Sequence, residues 1–184
     1  MHAVVADAKT HMQKAVEAAK REFAAVRTGR ASPAILDRVT VDYYGVATPV
    51  TQVATVTVPD PRLIVIQPWD KSMVREVERA ILKSDLGLNP ASDGTTLRLA
   101  IPSLTGERRR ELVKVVHKQA EEARVSVRNI RRDHKDQLER LEKKGELSED
   151  AMRRAVEELQ KLTDQHIKDI ETLLTAKEAE ITEV

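Results

Sequence analysis

Apolar residues recur every three or four positions in three long parts of the chain, with lysine, arginine and glutamate between them. The first part covers residues 3–28, the second runs from about 106 to 143, and the third follows Ser148. This spacing is that of one face of an α-helix, so three amphipathic helices are predicted. A short break, KKGELSED, joins the second helix to the third, which favours an antiparallel three-helix bundle.

Residues with known end preferences stand at the limits of these helices. Gly29 and Pro33 end the first pattern, and Thr105 is a suitable N-cap for the second helix. Gly145 suits the position just beyond the second helix, and Ser148 suits the N-cap of the third. A helix that runs without a break from about 106 to 143 would be roughly 55 Å long, which implies an elongated bundle.

The middle of the chain has a different period. Four short segments are apolar or alternating and are bounded by glycine, proline and aspartate, as β-strands are: RVTVDYYG, QVATVTVPD, RLIVIQP and TTLRLAIP. Among them, SMVREVERAILKSDLG predicts one helix with Ser72 as its N-cap. We therefore predict an α+β protein in which residues 1–30 and 105–184 form the elongated antiparallel three-helix bundle. Residues 31–104 form a small inserted β/α/β domain.

An inserted domain is joined to its host by two crossings of the chain. Two short crossings side by side make a hinge, and the alternative is a well-packed interface that holds one angle. Gly106 favours the hinge, because the first turn of a helix prefers glutamate or proline at such a position. The predicted hinge residues are Arg30, Ala31, Ser32, Pro33, Leu104, Thr105 and Gly106.

The composition excludes several classes of function. The chain has no cysteine, which excludes disulfides and thiolate chemistry. Only 2% of its residues are aromatic, which argues against a single-strand binder that stacks bases on aromatic rings. No apolar run approaches the length of a membrane span, and the first residues lack the apolar core of a signal peptide. A cytoplasmic protein that does not enter membranes is expected.

No sequence signature of an enzyme is present. The loop RTGRAS has too few glycines for a phosphate-binding loop and follows a helix instead of a strand. There is no H-E-x-x-H motif, and no two histidines lie one helical turn apart. We predict no catalytic residue, no metal site and no cofactor.

The formal net charge of +1 conceals a segregation of charge along the chain. Residues 106–135 hold ten basic and five acidic side chains, whereas residues 136–184 hold eight basic and fourteen acidic ones. Such an asymmetry indicates a charged partner, or neutralisation of one helix by the other. Within the basic block, cations that repeat every three or four residues form one stripe on a helix: Arg124, Arg128, Arg131 and Lys135.

The stripe has two interpretations. Arg128 has cations at the neighbouring helical positions and no acidic residue of that kind, so its repulsion is either tolerated in solvent or relieved by a partner. Arginine grips phosphate oxygens in a bidentate fork, and double-stranded RNA is recognised largely through its shape and backbone. An RNA-binding face is therefore predicted. The alternatives are a generic basic-faced helical adaptor for RNA or acidic proteins, and an oligomer whose heptads extend between chains.

Four segments resemble the bacterial ribosome recycling factor family, whose members are also called ribosome-releasing factors. They are VRTGRASPAILDRVTVDYYG, SDLGLNP, IPSLTGERRRELVK and ARVSVRNIRRDHK, and the resemblance runs over essentially the whole chain in order and spacing. It implies a monomer that binds the post-termination ribosome. With elongation factor G and GTP, such a factor releases the ribosome from mRNA by splitting the subunits. GTP would be used by elongation factor G and not by this chain.

The resemblance also implies which residues contact the large ribosomal subunit. The arginines that match the family pattern are Arg109, Arg128 and Arg131, and these are the expected contacts with ribosomal RNA. Arg132 and Arg30 come next. The chain departs from the pattern at Gly106, where the family motif usually has a glutamate.

Overall fold

The computed structural model describes residues 2–183 and divides them into two compact units. One unit is formed by the residues up to Thr28 and from Gly106 onward, and the other by Gly29–Thr105. These limits lie within two residues of the predicted ones. The predicted α+β class is confirmed.

The elements follow each other in the predicted alternation of long helix, small sheet domain and two long helices. The helices are α1 (Ala3–Ala25), α2 (Val74–Lys83), α3 (Gly106–Lys143) and α4 (Glu149–Thr182). The strands are β1 (Thr40–Tyr43), β2 (Val46–Pro49), β3 (Ala54–Asp60), β4 (Leu63–Pro68), β5 (Ala91–Ser92) and β6 (Leu97–Ala100).

Helices α1, α3 and α4 form a bundle in which α3 runs antiparallel to the other two. His134, near the end of α3, is bonded to Asp7 near the start of α1. Along α4 the order of partners is likewise reversed, since Arg124 contacts Glu171 while Arg131 contacts Gln160. The 38 residues of α3 make it about 57 Å long.

One apolar stripe of each helix is buried in the bundle, as the helical period predicted. The helix α1 buries Val5, Ala8, Met12, Ala19 and Phe23. The helix α3 buries Leu112, Val116, Ala120, Ala123, Val127 and Leu138. The helix α4 buries Ala155, Leu159, Ile170, Leu174 and Ile181. Burial of these side chains fixes which face of each helix is left to solvent.

The turn between α3 and α4 is closed by its own backbone and by one cap. Gly145 has a φ of +73°, and the amide of Glu146 donates to the carbonyl of Leu141 at 3.0 Å. This is the Schellman arrangement, which satisfies carbonyl groups at a helix end. The Ser148 hydroxyl accepts a hydrogen bond from the amide of Ala151 at 3.2 Å and caps α4. Both predicted end signals are confirmed.

The small unit holds a hairpin of β1 and β2 and an antiparallel sheet in the order β3-β4-β6-β5. Alternate residues of β4 and β6 point to one side, where they share a core with residues of α2 and with Leu36. The core they share includes Leu36, Ile64, Ile66, Val77, Ile81, Leu97 and Leu99. All four predicted strands and the predicted helix are present.

Two strands and one cap differ from the sequence prediction. Strands β2 and β5 were not predicted, because β2 ends in Pro49 and β5 is only two residues long. The prediction of Ser72 as an N-cap was wrong. The Asp70 side chain accepts from the Ser72 amide at 2.9 Å, and a 3₁₀ turn, Lys71–Met73, precedes α2. Aspartate is as good an N-cap as serine, and here it comes two residues earlier.

Candidate nucleic-acid interface

Five cations lie on one side of α3, within about 17 Å along its axis. They are Arg124, Arg128, Arg131, Arg132 and Lys135. Because α3 is unbroken from Gly106 to Lys143, their spacing of three and four residues places them on one continuous surface. We call this surface the cationic stripe. The neighbouring helix α4 borders it along one edge.

The edge of the stripe that faces α4 is occupied by two arginines with partners on that helix. Arg124 bonds to Glu121 of its own helix and to Glu171 of α4, and only 16% of its side chain is exposed. Arg131, also partly buried, donates from Nη1 to the Oε1 atom of Gln160 at 2.9 Å. Because Gln160 is neutral, it holds the guanidinium group of Arg131 in place without neutralising its charge.

The outer edge of the stripe is more exposed. Arg128 reaches Glu121 at 3.3 Å while 45% of its side chain stays exposed, and Lys135 reaches Glu139 at 3.3 Å. Arg132 is exposed and has no ion-pair partner among residues 2–183. Exposed pairs of this kind are worth little, because solvent screens them. The outer edge therefore keeps most of its positive charge.

The sequence prediction for Arg128 missed a partner on its own helix. The positions three and four residues away hold no acidic residue, and only these were considered. Glu121 lies seven residues away, two turns along the same face, and the long arginine side chain spans that distance. A single carboxylate thus serves two arginines, Arg124 and Arg128.

Glu121 is the electrostatic centre of this network. The hydrogen bond from Arg124 is the main cause that lowers the pKa of the Glu121 carboxyl, and the charges of Arg124 and then Arg128 lower it further. Glu121 therefore stays ionised throughout the neutral range. The carboxyl of Glu121 is protonated less easily in the folded protein than in the unfolded chain. Its ionised form therefore adds to the free energy of unfolding.

The predicted contacts near the start of α3 are arranged differently. Arg109 is half-buried, and its Nε atom has no hydrogen-bond partner among residues 2–183. It lies 22 residues, close to six turns, before Arg131, so both point to nearly the same side about 33 Å apart. The neighbouring Arg108 pairs with Glu111 at 2.9 Å. Arg30 belongs to the small unit and is not part of the stripe.

The predicted hinge residues lie at the ends of the small unit, apart from Gly106, which begins α3. The Ala31 amide donates to the Pro61 carbonyl at 2.7 Å, which ties this segment to the sheet domain. Gly29 has a φ of +74°, and a Cβ atom there would lie 2.9 Å from the Leu104 side chain. The two ends of the small unit therefore lie against each other.

Three further hinge residues have defined local roles. The hydroxyl of Ser32 accepts from the Ala34 amide, and Pro33 opens a 3₁₀ turn, Pro33–Leu36. Thr105 is the last residue of the small unit.

No helix among residues 2–183 is long and apolar enough to cross a membrane.

Comparison with known proteins decides the family. A model of the family described as "Ribosome recycling factor" matches residues 19–182. This chain belongs to the ribosome recycling factor family. Relatives include the ribosome-recycling factors of Halalkalibacterium halodurans, 58% identical, and of Carboxydothermus hydrogenoformans, 56% identical. Both alignments cover 98% of this chain and 98% of the relative. The resemblance found in the sequence is confirmed.

Solved structures of the family share the fold. A solution structure of the ribosome recycling factor is similar with a TM-score of 0.75 and 47% identity, covering 98% of this chain and 96% of that one. A second similar structure has a TM-score of 0.62 and 48% identity, and covers 97% and 96%. It represents the T. thermophilus ribosome recycling factor and E. coli elongation factor G bound to the E. coli post-termination complex.

We expect Glu121→Gln to lower the melting temperature at neutral pH, because the neutral amide cannot stabilise Arg124 and Arg128 as a carboxylate does. The pKa of Glu121 is lowered in the folded protein, so its contribution is full above the ordinary value of 4.5 and is lost as the pH falls through the folded-state value. The difference between variant and wild type should shrink in acid.

Thermal unfolding followed by circular dichroism between pH 7 and the acid range would measure this difference. Glu122→Gln is the matched control, since Glu122 is exposed and only approaches Lys118 at 4.0 Å. A Glu121→Gln deficit that stayed constant across the whole acid range would contradict the ionic role.

Proposed function

We propose that this chain recycles ribosomes by binding the post-termination ribosome. Together with elongation factor G and GTP, it releases the ribosome from mRNA by splitting the subunits. Membership of the ribosome recycling factor family, with 98% coverage of its relatives, is the observation that carries this proposal. The related factor placed with elongation factor G on a post-termination complex supports the choice of partners.

The cationic stripe is the surface that we assign to ribosomal RNA of the large subunit. Its outer edge presents Arg128, Arg132 and Lys135 to solvent with little compensation, and Arg131 is held in place by a neutral amide. Each such cation that neutralises an RNA phosphate releases a condensed counterion, and this release adds to the binding affinity. The spacing along α3 suits a nucleic-acid backbone, which is recognised without aromatic stacking.

The role of α4 in this proposal is to orient the stripe. Glu171 and Gln160 fix the inner arginines, so the guanidinium groups lose less conformational freedom when phosphates bind. Arg124 is largely buried in its ion pairs and serves the bundle more than the ligand. The strongest contacts are therefore expected from Arg128, Arg131 and Arg132.

The mechanism that follows is mechanical. The bundle holds ribosomal RNA, and the small unit receives a push from elongation factor G, which uses the GTP. The joint between the units lies at Thr28–Gly29 and Thr105–Gly106, since Ala31 and Leu104 are tied into the small unit. In this mechanism the chain is a cytoplasmic monomer that needs no catalytic residue or cofactor of its own.

Replacement of Arg131 or Arg132 by alanine should weaken binding to large ribosomal subunits by about 1 kcal/mol each, because a phosphate contact is lost. The slope of log affinity against log salt should fall by about 0.9 for each phosphate contact removed. Equilibrium binding to purified large subunits at several salt concentrations measures both quantities.

The matched control is Arg153→Ala, which removes an exposed arginine from α4 that pairs with Glu149 at 3.0 Å. Circular dichroism shows whether each variant is folded. Folded stripe variants with unchanged affinity and slope would place the docking surface elsewhere. Wild-type protein that bound an acidic protein of equal charge as tightly as ribosomal subunits would favour the generic adaptor.

Gly106→Glu should restrict motion between the two units, because a glutamate in the first turn of α3 has a better helix propensity and interacts well with the helix dipole. The ¹⁵N relaxation rates of the bundle and of the small unit should move closer together. Gly106→Lys has a helix propensity similar to that of Gly106→Glu but an unfavourable charge at that helix end, so it isolates the contribution of the charge. Relaxation rates unchanged by Gly106→Glu would contradict a joint at this position.

A further inference from the structure

We propose that Asp7, His11 and His134 form a binding site for a divalent transition-metal ion of the zinc type, in addition to the proposed function. Asp7 and His11 lie one turn apart on α1, and His134 is on α3. One ligand atom from each residue lies within 4.8 Å of the other two. Two imidazoles and one carboxylate are a donor set that zinc and similar ions prefer.

The His134 ring is held in the orientation that a metal ligand needs. Its Nδ1 atom lies 2.7 Å from the carbonyl oxygen of Ile130, and its Nε2 atom lies 2.9 Å from Oδ2 of Asp7. In the tautomer with its proton on Nδ1, which the carbonyl accepts, the Nε2 lone pair of the ring faces a carboxylate oxygen. Two acceptors at that distance require a cation between them, either a proton or a metal ion.

The two distances from the histidines to the Asp7 carboxylate suit a small tetrahedral ion. Bonds of about 2.0–2.1 Å separate neighbouring ligand atoms by roughly 3.3–3.4 Å. The His11 Nδ1 atom lies 3.3 Å from Oδ2 of Asp7, and the Nε2 atom of His134 needs to move away from it by only a few tenths of an ångström. Three protein ligands leave the fourth position of a tetrahedron for water.

The exposure of the three side chains leaves the site accessible. The carboxylate of Asp7 is 56% exposed and the ring of His11 49%, whereas the ring of His134 is only 7% exposed. The Nδ1 atom of His11 also lies 2.9 Å from the Asp7 carbonyl oxygen. To bind the ion, this exposed ring gives up its contact with the carbonyl. His134 is thus the buried and oriented ligand, and Asp7 and His11 are the exposed ones.

No metal site was predicted from the sequence, because no two histidines lie one turn apart on a single helix. Here Asp7 and His134 are 127 residues apart, and only the packing of α1 against α3 brings them together. An ion bound there links the two helices, so it should stabilise the bundle by binding to the folded state alone.

Zinc chloride added to the purified full-length chain tests the proposal. We expect one equivalent of zinc to shift the ring resonances of His11 and His134 in ¹H–¹⁵N spectra, and to raise the melting temperature by a few degrees. Asp7→Asn and His11→Gln should each weaken zinc binding by about tenfold or more. Magnesium should produce neither effect, since it prefers all-oxygen ligands.

His117→Gln is the matched control. His117 is as exposed as His11 and contacts Glu178 at 3.3 Å, but it belongs to no group of three ligands among residues 2–183. This variant should bind zinc as the wild type does. Because Asp7 and His11 are exposed, their variants should stay folded, and circular dichroism verifies this.

Zinc affinity that survives in the folded Asp7→Asn/His11→Gln double variant, or zinc shifts confined to other histidines, would overturn the proposal. Unchanged spectra and an unchanged melting temperature of the wild type on addition of zinc would overturn it as well.

Discussion

The organisation of the bundle depends on how repulsion between like charges on α3 is managed. Arginines one turn apart destabilise an isolated helix, and this helix carries them over three turns. On one edge, Glu171 and Gln160 of α4 receive them, and on the face itself Glu121 serves two of them. The outer edge is left exposed. The fold thus compensates part of the charge on the helix and leaves its outer edge positively charged.

Much of the fold was predictable from the sequence because its signals are local. The period of apolar residues, the glycine at position 145 and the serine at position 148 each act within one or two turns. Strand β2 was not predicted because it ends in Pro49 and because both φ angles are positive in the turn that precedes it, Tyr44–Gly45. Tyrosine is rarely found in that conformation, so the turn is hard to recognise.

The candidate interface was predictable only in part. That the cations share one face follows from helix geometry, but their partners do not, because Glu171 and Gln160 lie 47 and 29 residues from the arginines they contact. The register of α3 against α4 decides those pairs. The same holds for His134 and Asp7, which only the packing of α1 against α3 brings together. Contacts made between helices are set by packing, and local patterns do not contain that information.

The most direct measurement uses the absence of cysteine from the chain. A short photo-crosslinker on Val125→Cys would sit on exposed surface seven residues before Arg132, beside the outer edge of the stripe. The same probe on Ser126→Cys, also exposed, would point about 100° further around α3. On post-termination ribosomes, the account predicts crosslinks to large-subunit ribosomal RNA from position 125 and few from position 126. Crosslinks from position 126 alone, or to proteins alone, would contradict it.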